Sequence, residues 1–77
     1  MLNVLIVEDD LILLDFLSQE ISNQINSLGG IVRKASCLLD ARKLISQKNP
    51  DWILVDLLLP DGSGIELAEE FVQNKSN

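Results

Sequence analysis

The sequence predicts an α/β fold, a three-stranded parallel sheet with flanking helices, on three observations. Short runs of strand character alternate with longer segments in which apolar residues recur every three or four positions. The order is strand then helix, repeated, which favours parallel pairing through right-handed crossovers. Two of the strands run directly into acidic residues, at the ends where open α/β sheets carry their chemistry.

The first strand spans 2–7, a nearly unbroken set of Leu and β-branched residues that suits a strand covered on both faces. The first helix spans 10–28. Leu14, Leu17, Ile21, Ile25 and Leu28 form its apolar stripe, and Asp15, Ser18, Gln19, Ser22 and Asn23 fall on the wet side. Gly29-Gly30 stops it. The second strand is 31–35. Ser36 then offers an N-cap for a second helix over 37–48, whose inner face is Leu38, Ala41, Leu44 and Ile45. Asn49-Pro50 closes that helix and leads into the third strand, 52–56. Gly62 and Gly64 punctuate the following loop. The last helix, 63–74, buries Ile65, Ala68, Phe71 and Val72, and a polar tail runs from Gln73 to Asn77.

The strand ends are the informative places. Val7 is followed by Glu8-Asp9-Asp10, and Val55 by Asp56. A topological switch point between the first and third strands would gather these carboxylates into one pocket. Such a cluster is costly unless a cation sits in it. Each piece also has a plain structural reading. Acids favour the start of a helix, Asp61 in Pro60-Asp61-Gly62 is ordinary turn chemistry, and Trp52 at a strand entrance suits packing.

Composition narrows the function classes. The chain has 77 residues, 47% of them apolar, which fits one small globular domain. Twelve acidic residues against six basic ones give a net charge of −6, unsuited to direct contact with a nucleic-acid backbone. No apolar run reaches membrane-spanning length and no signal peptide opens the sequence, so a cytoplasmic location is expected. One cysteine, Cys37, excludes an internal disulfide and a cysteine-based metal site, and the lack of histidine excludes His-based catalysis within the chain.

The acidic group after the first strand, and Asp56 with Pro60 four residues on and Gly64 eight residues on, resemble the receiver domain of bacterial two-component response regulators. The resemblance implies a flavodoxin-like fold with strand order 2-1-3, of which residues 1–77 supply the first three β-α units. It implies that Asp56 is the phosphoacceptor, since a carboxylate can form an acyl phosphate. It implies a Mg2+ site in which Asp9 ligates directly, Glu8 acts through water, Asp56 takes part, and the Leu58 carbonyl adds a backbone ligand. Asp10 is free to cap the first helix instead. The implied partner is a sensor histidine kinase, the implied output a response such as transcription, and no enzyme activity of its own is expected.

The family pattern continues with a fourth strand ending in Ser or Thr and a fifth ending in Lys, and neither can be assigned in this sequence. A truncated or pseudo-receiver that works by protein contact without phosphorylation is therefore the alternative. A hydrolase or nucleotide-binding fragment is disfavoured. No G-x-G-x-x-G follows the first strand, no P-loop Gly-Lys-Ser/Thr occurs, and no second Asp lies two residues after Asp56. The third strand, Trp52 to Val55, would present an apolar free edge, so the chain is expected to form a homodimer or higher oligomer.

Overall fold

A computed structural model of the chain describes residues 1–76. Its elements run β1 (Asn3–Val7), α1 (Leu11–Ile25) with a 3-10 turn (Asn26–Leu28), β2 (Ile31–Ala35), α2 (Leu38–Gln47) and β3 (Trp52–Val55). A small hairpin of β4 (Leu58–Leu59) and β5 (Gly62–Ser63) then leads into α3 (Gly64–Ser76). The main sheet is parallel with order β2-β1-β3. Val4 pairs with Val32 on one side and Trp52 on the other, and Val7 pairs with Ala35 and Val55.

β1 is central and buried throughout, which accounts for its lack of alternation. Its side chains still divide by face. Leu5 and Val7 join Ala35, Leu38, Ala41, Leu59 and Leu67, so α2, α3 and the hairpin cover one side. Val4 and Ile6 join Leu14 and Ile25, so α1 covers the other.

Several faces differ from the sequence expectation, each for a local reason. Leu28 is 69% exposed because the last turn of α1 tightens to 3-10 geometry, whose three-residue period rotates it off the stripe. Ser18 is buried, not wet. It sits four residues after Leu14 on the inner stripe, and its hydroxyl is satisfied by donating to the Asp15 carbonyl at 2.9 Å. In α3 the fully buried side chain is Leu67, whereas Ile65 and Val72 are exposed. The phase is set by Gly64, which is buried against the Asp56 backbone. The face that follows it at three-residue spacing, Leu67, then turns inward. The expected tail is helical as far as Ser76. Lys75 lies 5.1 Å over the Phe71 ring and donates to the Asp51 carbonyl at 3.1 Å, which holds the last turn. Asn77 lies outside the described residues.

The sheet end opposite the acids is tied by a polar network. The Asn3 amide donates to the Asp51 carboxylate at 2.8 Å and the Asp51 amide to the Asn3 carbonyl at 2.7 Å. Arg33 donates to the Asn3 side chain and, with its two outer nitrogens, to the carbonyls of Leu44 and Lys48 at 2.7 and 2.6 Å. It thereby closes the C-terminal end of α2, whose last carbonyls have no partner within the helix.

Candidate functional site

The site begins where the ladder ends. The Glu8 amide donates to the Ala35 carbonyl at 3.0 Å and the Asp56 amide to the Val7 carbonyl at 3.1 Å. Each acid is therefore held by one further backbone bond just beyond its strand. Because β1 and β3 are neighbours, Glu8, Asp9 and Asp56 come together, with a ligand oxygen from each within 4.8 Å of the others. Asp9 and Asp56 are exposed, and Glu8 is largely buried at 9%. A cleft of about 220 Å3 runs beside Glu8 and Asp56, walled by Val7, Leu17 and Leu54.

Neighbouring residues hold the acidic strand end in place. Asp10 faces the helix as its N-cap: one carboxylate oxygen accepts from the amides of Ile12 and Leu13 at 3.0 and 3.2 Å. The Asp10 amide donates to the Glu8 carboxylate at 3.1 Å and fixes that side chain. The result is a set of three oxygen donors, with no nitrogen or sulfur ligand among them, of the kind that hard divalent cations prefer. Mutual repulsion of three close carboxylates favours such an ion. Leu58 opens the hairpin two residues beyond Asp56, with its side chain exposed.

The loop between Asp56 and α3 is closely built. Gly64 packs so tightly that a Cβ at that position would overlap the Asp56 carbonyl oxygen and come within 2.9 Å of Val55. The Gly64 amide donates to the Leu57 carbonyl at 2.9 Å, closing the loop on itself. Leu59 is buried in the core cluster that includes Leu38.

Asp61 does more than turn the chain. Its two carboxylate oxygens accept from the amides of Leu38 and Leu39 at 2.8 and 3.0 Å, so the hairpin caps α2 from outside. Those amides, Leu38 first, hold the Asp61 carboxyl below its usual range. Ser36 is not the cap of α2. The N-cap position is Cys37, whose side chain makes no capping bond, and the anionic cap arrives from another segment. Arg42 and Glu70 then join α2 to α3 at 2.7 Å, with Glu66 at 3.1 Å. The pair lowers the Glu70 carboxyl and raises the Arg42 guanidinium, each through its bond to the other. Sequence reasoning placed Asp61 in a turn, as it is, but missed its cap on α2, and it missed the structural role of Arg33. The only signal for either was a charged side chain near a helix end, and both act over long sequence separations.

A non-phosphorylated HemR receiver domain from Leptospira biflexa is similar in structure, with a TM-score of 0.72 and 28% sequence identity. The likeness covers 100% of this chain and 59% of that one, so the chain spans less than two thirds of the solved domain. No curated protein matches the chain. The family model for the response regulator receiver domain matches residues 4–77, which takes in both acidic strand ends and the helices between and after them. With the 2-1-3 sheet, the acids at its adjoining tips and that match over almost its full length, the chain belongs to the response regulator receiver domain family.

Proposed function

We propose that the chain is the phosphoacceptor part of a response regulator, in which Asp56 takes a phosphoryl group from a sensor histidine kinase to control an output such as transcription. The observation that carries this reading is the convergence of Glu8, Asp9 and Asp56 at two adjoining strand tips. Asp56 is exposed, so a donor can reach it. One Asp56 carboxylate oxygen forms the new P–O bond as the donor P–N bond breaks. The electron pair of that bond stays with the imidazole, which departs neutral when its other nitrogen carries a proton. The chain has no histidine, so the phosphohistidine belongs to the partner.

Asp9 and Asp56 would hold a Mg2+ directly, with Glu8 acting through water and the Leu58 carbonyl as a further ligand. The ion supplies charge neutralisation for the incoming phosphoryl oxygens. The rest of the work falls to the chain. The Asp10 amide keeps the Glu8 carboxylate facing the cluster, and the Gly64 contact keeps the Asp56 backbone in place. The domain acts as a signalling module and not as an enzyme. A cytoplasmic setting suits it, and among the described residues no helix is long and apolar enough to cross a membrane. A net charge of −6 supports a role without direct nucleic-acid contact by this segment. The open edge of β3 supports self-association into a homodimer or oligomer.

Incubation with acetyl phosphate and Mg2+, read by intact mass, tests the reading. The mass of one phosphoryl group is expected on the wild type and none on Asp56→Asn. Mg2+ titration should shift the backbone amides of residues 8–10 and 56–58, and Asp9→Asn should remove that response. Amides are the better reporter, because Trp52 stands at the far end of β3 from the carboxylates. Phosphorylation that persists in Asp56→Asn, or an identical titration in Asp9→Asn, would overturn the assignment.

A further inference from the structure

We infer that Asp61 is a positioning residue for Asp56: it latches the hairpin after the acceptor onto the N-terminus of α2 and so fixes the acceptor loop. The inference rests on the reading of Asp56 as phosphoacceptor. Three observations carry it. The Asp61 carboxylate takes both the Leu38 and Leu39 amides. Leu59, two residues earlier, is buried in the same core cluster as Leu38. Gly62, one residue later, has φ +151° and would place a Cβ 2.7 Å from the Leu38 side chain, so the hairpin sits directly on α2. The loop is therefore anchored at two places, Gly64 against the Asp56 backbone and Asp61 against α2, and Leu58 lies in the stretch between Asp56 and Asp61. The α2 N-terminus has no side-chain cap of its own, since Cys37 makes no capping bond. Helix stability and loop position thus depend on one carboxylate, and loss of the latch frees the acceptor loop without touching any residue of the carboxylate cluster. A misplacement of even an ångström at a reacting group costs rate steeply.

The test separates these two roles. Asp61→Ala removes the latch. Adding Cys37→Ser gives α2 a cap of its own, because Cys37 already has the extended backbone that an N-cap serine requires. The double variant is expected to regain protection of the Leu39 amide against hydrogen exchange and most of the lost melting temperature. The Gly64 amide, which bonds across the loop to Leu57, should still exchange roughly tenfold faster than in the wild type. Phosphorylation by acetyl phosphate at saturating Mg2+ should remain about tenfold slow in the double variant. Asp61→Asn, which keeps an acceptor oxygen, should recover part of that rate. A double variant that recovers wild-type exchange at Gly64 and a wild-type phosphorylation rate would overturn the inference and leave Asp61 a helix cap. A wild type that takes up no phosphate would overturn the phosphoacceptor reading instead, while the exchange at Gly64 still decides whether Asp61 holds the loop.

Discussion

At the scale of single residues, the acceptor loop depends on a position with no side chain. Gly64→Ala would drive a methyl group into the Asp56 carbonyl and against the Val55 side chain, which is itself packed on the core. Urea denaturation should show a loss of more than about 2 kcal/mol, the scale of overpacking in a rigid site. Asp61 makes a different prediction, through protons. Its folded-state pKa lies below the ordinary carboxylate value of 3.8, because the amides of Leu38 and Leu39 favour the ionised form. Its stabilisation is therefore fully present above that ordinary value and is lost as pH falls through the lower folded one. Glu70 follows the same sign, lowered from 4.5 by Arg42. The stability gap between wild type and Asp61→Ala should stay constant from neutrality to about pH 4 and close below it. A gap that grew on acidification would contradict the sign.

At the scale of elements, α2 is held at both ends by residues that are not its own. Asp61 takes the first amides, and Arg33 takes the carbonyls of Leu44 and Lys48 while also bonding the buried Asn3 side chain. Arg33→Ala should cost about 2–3 kcal/mol in urea unfolding, since two helix-end carbonyls and the buried Asn3 acceptor all lose their charged donor. Arg33→Lys should recover little, because one ammonium cannot span carbonyls that a guanidinium fork reaches together. These ends also mark where the sequence stops being legible. The alternation of β and α elements and the parallel sheet were readable, because a strand run and a helical stripe are local periodic signals. The gathering of Glu8, Asp9 and Asp56 was readable because strand ends in such a sheet share one edge. The inner face of α3 was not, since Ile65 and Val72 are as apolar as Leu67 and only the contact of Gly64 with Asp56 decides which face turns in. The cap of α2 was not readable either. Ser36 stood at the right place in sequence, while the residue that caps the helix lies 23 positions beyond Leu38.

At the scale of the whole molecule, the two sides of the sheet are unequal. The edge of β3 has no strand partner among the described residues, and beside it lies an apolar groove of about 520 Å3 lined by Val4, Ile21, Ile25, Trp52, Leu54 and Phe71. Trp52 is 66% exposed and Leu54 44%. An uncovered, apolar strand edge favours pairing with another chain. Sedimentation of the 77-residue chain should show association that rises with concentration, and Leu54→Lys, a charge on that edge, should shift it to monomer. A wild type that remains monomeric throughout would remove the edge as an interface. The central place of β1 has a further consequence, which concerns order of synthesis. β1 is made before both of its strand partners: β2 follows α1, and β3 follows α2 as well. Until residues 52–56 have emerged, Glu8 and Asp9 have no Asp56 beside them, and one whole edge of β1 stands open. The first segment supplies two of the three carboxylates, and the cluster is completed only when β3 pairs with β1.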